Sequence, residues 1–179
     1  MGCPAMMIVR QLAFDDALEY RALMLQAYAL APDAFTSTPD ERAAEPLSYW
    51  QGRIAGLNPP GVAFGAFLDG VLIGNVAIEY SNKTKTRHRG LIIGMYVSPL
   101  HRRLGAAKAL LQTVMNSARE RPGLKVVELD VTQGNIGAAT MYEAAGFIAY
   151  GVQPMALFTG TEFKTKVHMQ LILSNLNTP

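Results

Sequence analysis

The residues with the clearest capacity for chemistry lie in one basic segment, residues 101–108, which reads His101-Arg102-Arg103-Leu104-Gly105-Ala106-Ala107-Lys108. The segment follows an apolar run and opens a pattern typical of a helix. Backbone N–H groups at a helix start have no internal partner, and the helix dipole adds positive charge there. Small residues at 105–107 let a ligand approach these groups closely. The segment therefore predicts a site for a phosphate-bearing molecule.

Charge is distributed unevenly along the chain. No acidic residue lies between Glu79 and Glu120, whereas this interval holds eight of the 16 lysines and arginines. The first 45 residues instead carry a run of acids: Asp15, Asp16, Glu19, Asp33, Asp40, Glu41 and Glu45. One region thus suits an anion and the other a cation, although a solvated surface with separated charges explains the pattern equally well.

Length and composition limit the class of protein. A chain of 179 residues with 50% hydrophobic and 17% charged residues is predicted to fold as a single domain, 1–179. No apolar run reaches the roughly 18–20 residues that a membrane span needs, and the first residues lack a signal-peptide pattern. We therefore expect a cytoplasmic protein with no membrane partner. Cys3 is the single cysteine, which excludes an internal disulfide, and the three histidines lack metal-ligand spacing, which predicts no metal.

Elements on both sides of the basic segment must position it. A helix is predicted from Asp15 or Asp16 to about Leu30, after a short strand at 9–12. One face of this helix would be apolar, with Ala17, Tyr20, Leu23, Met24 and Ala27. Residues 31–46 predict a loop with short helical pieces, and Asn58-Pro59-Pro60-Gly61 predicts a break. Two apolar runs, 62–68 and 71–80, flank Asp69-Gly70, which indicates a two-residue hairpin.

The second half of the chain alternates strands with helices. Strands are predicted at 90–97, 125–132, 147–152 and 163–173, and Gly94 indicates a bulge in the first. A helix at 105–119 would pack on the sheet through one stripe: Ala107, Leu110, Leu111, Val114, Met115 and Ala118. Asn135 would cap a second helix that ends near Ala145, before Gly146. The fold class is therefore α+β, with a mixed, mostly antiparallel twisted sheet of about six or seven strands flanked by helices.

Two motifs in this half resemble the GNAT superfamily of N-acetyltransferases. The standard phosphate motifs G-x-x-x-x-G-K-[ST] and G-x-G-x-x-G are absent. The run Met95-Tyr96-Val97-Ser98-Pro99-x-x-Arg102-Arg103-x-Gly105-x-Ala107 instead resembles the family's pyrophosphate loop, [QR]-x-x-G-x-[GA]. A second run, Leu129-x-Val131-x-x-x-Asn135-x-x-Ala138-x-x-Met141-Tyr142-x-x-x-Gly146-Phe147, resembles its following strand and helix. The resemblance is strongest over residues 62–151.

The resemblance implies an enzyme that transfers acetyl from acetyl-CoA to a primary amine by direct attack in a ternary complex. A backbone N–H near Met95 to Val97 would stabilise the thioester oxygen, and Tyr142 would be the general acid toward the leaving sulfur. Contacts to acetyl-CoA would come from Met95, Tyr96, Val97, Arg102, Arg103, Leu104, Gly105, Ala106, Ala107, Lys108, Asn135, Ala138 and Tyr142.

The general base is the main departure from the family pattern. Many members carry a glutamate near the start of the third long strand, where this chain has Gly90-Leu91-Ile92. Glu79 on the preceding strand is the first candidate, acting directly or through water, and His88 is the second. Solvent or the backbone could otherwise take the proton.

Other functions and partners compete with this interpretation. The missing carboxylate favours an idle acyl-CoA-binding sensor or scaffold, whereas Tyr142 argues against it. The basic 83–103 region lacks a regular array of stacking aromatics, so we expect no nucleic-acid partner. The acceptor amine, either a small molecule or a peptide, stays open; recruitment by Asp33, Asp40, Glu41 or Glu45 would favour a cationic one. Many family members dimerise, so a homodimer is open too.

Overall fold

The computed structural model describes residues 6–57 and 60–173. Cys3, the N-terminal segment, and Asn58 and Pro59 of the predicted break lie outside these residues. Seven strands are present: β1 (Met7–Gln11), β2 (Gly61–Leu68), β3 (Val71–Tyr80), β4 (Arg89–Val97), β5 (Val126–Thr132), β6 (Ile148–Phe158) and β7 (Phe163–Ile172). Five α-helices accompany them: α1 (Ala17–Leu30), α2 (Pro39–Ala43), α3 (Leu47–Ile54), α4 (Ala106–Glu120) and α5 (Ile136–Ala144).

The strands form one mixed sheet in the order β1-β2-β3-β4-β5-β7-β6. The β4–β5 pair is parallel, and every other pair is antiparallel. The predicted hairpin is confirmed, because Leu68 pairs with Val71 and both loop residues have positive φ, 49° at Asp69 and 85° at Gly70. The predicted α+β class and the mostly antiparallel sheet are therefore confirmed.

Helix α4 packs on one face of the sheet and forms the larger core. Leu110, Val114 and Ala118 are fully buried there, against residues such as Val76 and Val127. One residue of the predicted stripe is wrong. Ala106 is buried at 2% exposure, whereas Ala107 is only half-buried and borders a cavity. Ala106 lies four residues, about one helical turn, before Leu110, so it takes the first position of the stripe while Ala107 borders the cavity.

Helices α1 and α3 cover the opposite face. The predicted inner face of α1 is confirmed, since Ala17, Tyr20, Leu23, Met24 and Ala27 are all buried. Trp50 of α3 is completely buried beside Tyr20, with ring centroids 5.9 Å apart. These contacts hold α3 and the α2 segment above the centre of the sheet. None of the helices formed by the described residues is long and apolar enough to cross a membrane.

The main core predicts a measurable asymmetry between two leucines. Leu110 is fully buried under α4, whereas Leu18 on α1 is 64% exposed. We expect Leu110→Ala to lower the free energy of unfolding by about 2–5 kcal/mol, because it leaves a cavity in packed surroundings. Leu18→Ala should change it by less than about 1 kcal/mol. Urea denaturation followed by circular dichroism measures both, and equal losses would contradict the described core.

Candidate active site

A cavity opens where the two parallel strands separate. β4 and β5 pair only from Arg89 with Val126 to Leu91 with Glu128. Beyond that point β5 continues beside β7 and β4 beside β3, so the two strands diverge. The cavity between them has a volume of about 610 Å³ and is lined by residues 91–97 of β4 and 129–132 of β5. This volume lies within the range typical of small-molecule sites.

A bulge in β4 shapes this opening. The β3–β4 register shifts between Asn75 and Ala77, and Gly94 opposite has a φ of 66°, as the sequence predicted for a bulge. The side chain of Asn75 is fully buried, and its Nδ2 donates to the Gly94 carbonyl over 2.7 Å. The bond fixes the bulge from the side of β3. The opposite edge of β4, with its backbone groups beyond Leu91, faces the cavity.

The basic loop and the start of α4 form one end of the cavity. Arg103 and Gly105 both have left-handed backbones, with φ of 65° and 82°. No side chain caps α4, and a Cβ at Gly105 would meet no atom within 4 Å. The first N–H groups of the helix therefore point into open space, as an anion site requires.

Only part of the predicted contact set lines the cavity itself. Met95, Tyr96, Val97, Arg102, Ala107, Asn135, Ala138 and Tyr142 all border it. Arg103, Leu104, Gly105, Ala106 and Lys108 belong to the loop and first helical turn but not to the cavity wall. Ala106 can offer only its backbone, because its side chain is in the core.

Helix α5 brings Tyr142 to the wall. The predicted N-cap is confirmed, since Asn135 Oδ1 accepts from Ala138 N over 3.2 Å, and Gly146 ends the helix region with a φ of 95°. Tyr142 is 5% exposed and packs edge-on against Phe147. Burial raises the pKa of Tyr142 to about 12. Its hydroxyl therefore keeps its proton at neutral pH. Among the described residues, this hydroxyl makes no hydrogen bond to a side chain or to the backbone.

Neither predicted base borders the cavity. Glu79 is paired with Leu91 across the β3–β4 ladder, and only Leu91 of this pair lines the wall. His88 precedes β4 altogether, and its carbonyl accepts from Lys125 and Val126. The sequence alone could not show how far Glu79 and His88 lie from the point where β4 and β5 separate.

Asp130 is a site residue that the sequence analysis missed. It lies on β5 and is the one acidic side chain lining the cavity in the described part of the chain. His168 Nδ1 on β7 lies 2.5 Å from Asp130 Oδ1, which orients the carboxylate. One signal was available: polar Glu128, Asp130 and Thr132 alternate with apolar Val127, Leu129 and Val131, which places the three polar side chains on one face of the strand.

The other end of the cavity is made by the helices above the sheet. Phe35 packs edge-on against both Tyr28 and Tyr96, and all three line the wall. Burial raises the pKa of Tyr28, so this hydroxyl also keeps its proton. Arg42 of α2 and Arg53 of α3 complete this end. Trp50 is part of the core, and Tyr49 lies between the two arginines without bordering the cavity.

The acids of the N-terminal third do not reach the cavity, contrary to the expectation that they recruit a cation. Asp33 pairs with Lys164 at 3.6 Å, and Glu45 pairs with Arg42 at 3.8 Å. Glu41 accepts from the backbone N–H of Thr38 and so caps α2. Asp40 is exposed and does not line the wall either. Three of these four carboxylates are therefore used in a helix cap or in ion pairs outside the cavity.

Comparison with known proteins agrees with this architecture. The sequence pattern of the Acetyltransferase (GNAT) family matches residues 24–147. No curated protein matches the sequence. In structure, the chain resembles a GNAT-family acetyltransferase from Streptococcus pneumoniae, with a TM-score of 0.80, 21% identity, and coverage of 94% of this chain and 100% of that chain.

Two further solved structures share the fold. A phosphinothricin acetyltransferase from Sinorhizobium meliloti, in complex with acetyl-CoA, has a TM-score of 0.81 at 18% identity over 97% of this chain and 92% of its own. A ribosomal-protein-alanine N-acetyltransferase from Brucella melitensis has a TM-score of 0.77 at 19% identity over 93% and 99%. The family pattern covers well over half of the sequence, and its two motifs border the cavity between β4 and β5. The chain therefore belongs to the GNAT family of acetyltransferases.

Proposed function

We propose that this protein is an N-acetyltransferase that moves acetyl from acetyl-CoA to a primary amine by direct attack in a ternary complex. The observation that carries the proposal is the cavity between β4 and β5, with the uncapped start of α4 at one end and Tyr142 in its wall. Acetyl-CoA, when bound, supplies an acetyl group already activated as a thioester. Cys3 lies outside the family motifs, and direct attack needs no acyl-enzyme.

The chain's own groups fit such a cofactor. The N–H groups at the start of α4, together with Arg102, suit a pyrophosphate, because they combine unpaired donors, the helix dipole and a positive charge. The open edge of β4 beyond Leu91 suits an extended amide-bearing arm, because it offers backbone donors and acceptors that have lost their ladder to β5. An N–H of this edge, in the Met95–Val97 region, would donate to the thioester oxygen.

Tyr142 would stabilise the departing sulfur. Its hydroxyl borders the cavity and stays protonated, with a pKa of about 12. A simple thiol has a pKa of roughly 8.5, well below the pKa of Tyr142, so complete proton transfer from Tyr142 to a thiolate would be uphill. The tyrosine therefore acts chiefly by donating a hydrogen bond to the sulfur, and the proton can be returned from the amine side.

Asp130 would take the proton from the incoming amine. It replaces Glu79 as our first candidate because it borders the cavity and Glu79 does not. The contact with His168 holds one carboxylate oxygen and leaves the other free to accept. Proton transfer requires hydrogen-bond reach, directly or through one water, before any matching of pKa.

Cofactor binding predicts a contrast between two glycines with the same backbone. Gly105 and Gly123 have φ of 82° and 79°, and a Cβ at either position meets nothing within 4 Å. Glutamate should strain both positions by roughly 1–2 kcal/mol, but only Gly105→Glu puts a negative charge beside the start of α4. We expect the Kd for acetyl-CoA to rise at least about tenfold in Gly105→Glu and little in Gly123→Glu.

Calorimetric titration of both variants with acetyl-CoA, CoA and ATP measures this contrast. Gly123 follows the far end of α4, about 22 Å away along a 15-residue helix. Equal weakening in the two variants would place the cofactor elsewhere, and no binding by the unaltered chain would end the acetyltransferase proposal.

Removing the hydroxyl of Tyr142 should slow turnover without weakening cofactor binding. We expect Tyr142→Phe to lower kcat about 100-fold in a thiol-release assay, because the donor to the sulfur is lost. Tyr80→Phe is the matched control, since Tyr80 is also 5% exposed but packs in the core away from the cavity. An unchanged kcat in Tyr142→Phe would remove its catalytic role. An acetyl-CoA-binding chain with no turnover at all would be a sensor or scaffold.

The two candidate bases separate in a direct comparison. We expect Asp130→Asn to lower kcat/KM by about 100-fold near neutral pH, because the amide cannot accept the amine proton. Glu79→Gln should stay within about threefold of the unaltered enzyme, since its side chain does not border the cavity. A larger loss in Glu79→Gln than in Asp130→Asn would make Glu79 the base again. Small effects in both variants would assign removal of the amine proton to solvent.

A further inference from the structure

Two guanidinium groups meet at one tyrosine oxygen beside the cavity. Arg42 Nη1 makes a short hydrogen bond to the Tyr49 hydroxyl, and Arg53 Nη1 donates to the same oxygen over 3.3 Å. Both groups also lie near the Tyr49 ring, with Cζ atoms 5.1 Å and 5.8 Å from its centroid. The hydroxyl oxygen accepts twice, so its own O–H is left to donate to a further acceptor.

These two positive charges are poorly compensated. Glu45 lies 3.8 Å from Arg42, but both side chains are partly solvated, at 36% and 25% exposure. Arg53 has no carboxylate within 4 Å among the described residues, and its Nε is buried without a hydrogen-bond partner there. Burial disfavours the charge on Arg53, but Tyr20 and Tyr49 more than offset it and its pKa is raised, so the guanidinium stays charged. Two like charges side by side raise the electrostatic free energy of the empty site. An anion bound between them would lower it.

The lining of the whole cavity also carries more positive than negative charge. Its described lining holds Arg42, Arg53, Arg102 and Lys166 against a single acid, Asp130, which already contacts His168. Arg102 belongs to the cofactor end. Arg42 and Arg53 lie with Tyr28 and Phe35 at the other end, beneath α2 and α3. The arginine pair is therefore available to the acceptor.

We infer that the acceptor amine carries a carboxylate, which Arg53 and Arg42 bind while the amine faces Asp130. This inference rests on the proposed acetyl transfer and names its substrate class: small amines of the amino-acid type. An arginine fork matches a carboxylate with two parallel hydrogen bonds.

The test compares acceptors that share a side chain and differ at the carboxyl group. Thiol release from acetyl-CoA is measured with L-phenylalanine, its C-terminal amide and phenethylamine, then with the same series built on methionine. A glycyl dipeptide places the carboxylate farther from the amine and separates free amino acids from peptides. We expect kcat/KM to be about 10- to 100-fold higher for the free amino acids, the range for a charge-assisted hydrogen bond.

Variants assign this preference to the arginine pair. Arg53→Gln should bring the ratio of acid to amide close to one, chiefly by raising KM for the acid. Arg42→Gln, at a more exposed position, should reduce the ratio in the same direction and serves if Arg53→Gln fails to fold. Arg21→Gln is the matched control, because Arg21 also has a buried, unpartnered Nε but lies outside the cavity. A merely structural role would lower stability and leave the ratio unchanged.

A binding measurement does not depend on turnover. N-acetyl-L-phenylalanine and its amide are titrated into the protein saturated with CoA. Tighter binding of the acid, lost in Arg53→Gln, supports the carboxylate site. Equal binding, or equal kcat/KM for acid and amide, overturns it even if acetyl transfer proceeds. Failure of acetyl-CoA to bind would instead overturn the proposed function.

Discussion

The separation of β4 from β5 is the constraint on which the rest of the molecule depends. Their ladder ends at Leu91 and Glu128, yet each strand keeps its other neighbour, β3 or β7. The sheet is thus held together from both sides while its centre opens. Buried backbone groups need partners, so an opening of this kind is stable only where water or a ligand replaces the missing ladder. The bond from Asn75 to the Gly94 carbonyl keeps β4 in the required shape.

The opening places two kinds of positive charge at opposite ends of one cavity. At the start of α4 the charge comes from backbone N–H groups and the helix dipole, and it depends on the left-handed backbone of Gly105. Under α2 and α3 it comes from Arg42 and Arg53. The first suits an anion approached closely by the backbone, whereas the second suits an anion held by side chains. A reaction between two bound molecules needs a separate binding region for each of them.

Local sequence signals predicted the secondary-structure elements well. The Asp69-Gly70 turn, the inner face of α1, the Asn135 cap and the basic loop all depend on residues close together in the chain. The single domain, 1–179, stays a prediction. Asp130 and Arg53 were missed because their roles arise only when β5 diverges from β4 and α3 lies over the sheet. Residue spacing along the chain does not reveal that geometry, and for the same reason the sequence analysis preferred Glu79 as the base.

The uneven charge of the sequence was misleading for the same reason. An acidic N-terminal third suggested a cationic acceptor, yet its carboxylates cap α2 or pair with Lys164 and Arg42. A surface charge that is paired or solvated contributes little to the potential in a cavity. An unpaired charge in a partly desolvated wall contributes far more, because less water screens it. In the proposed reaction Arg53 would therefore outweigh the more numerous acids, and the class of acceptor that we infer rests on this one guanidinium rather than on net composition.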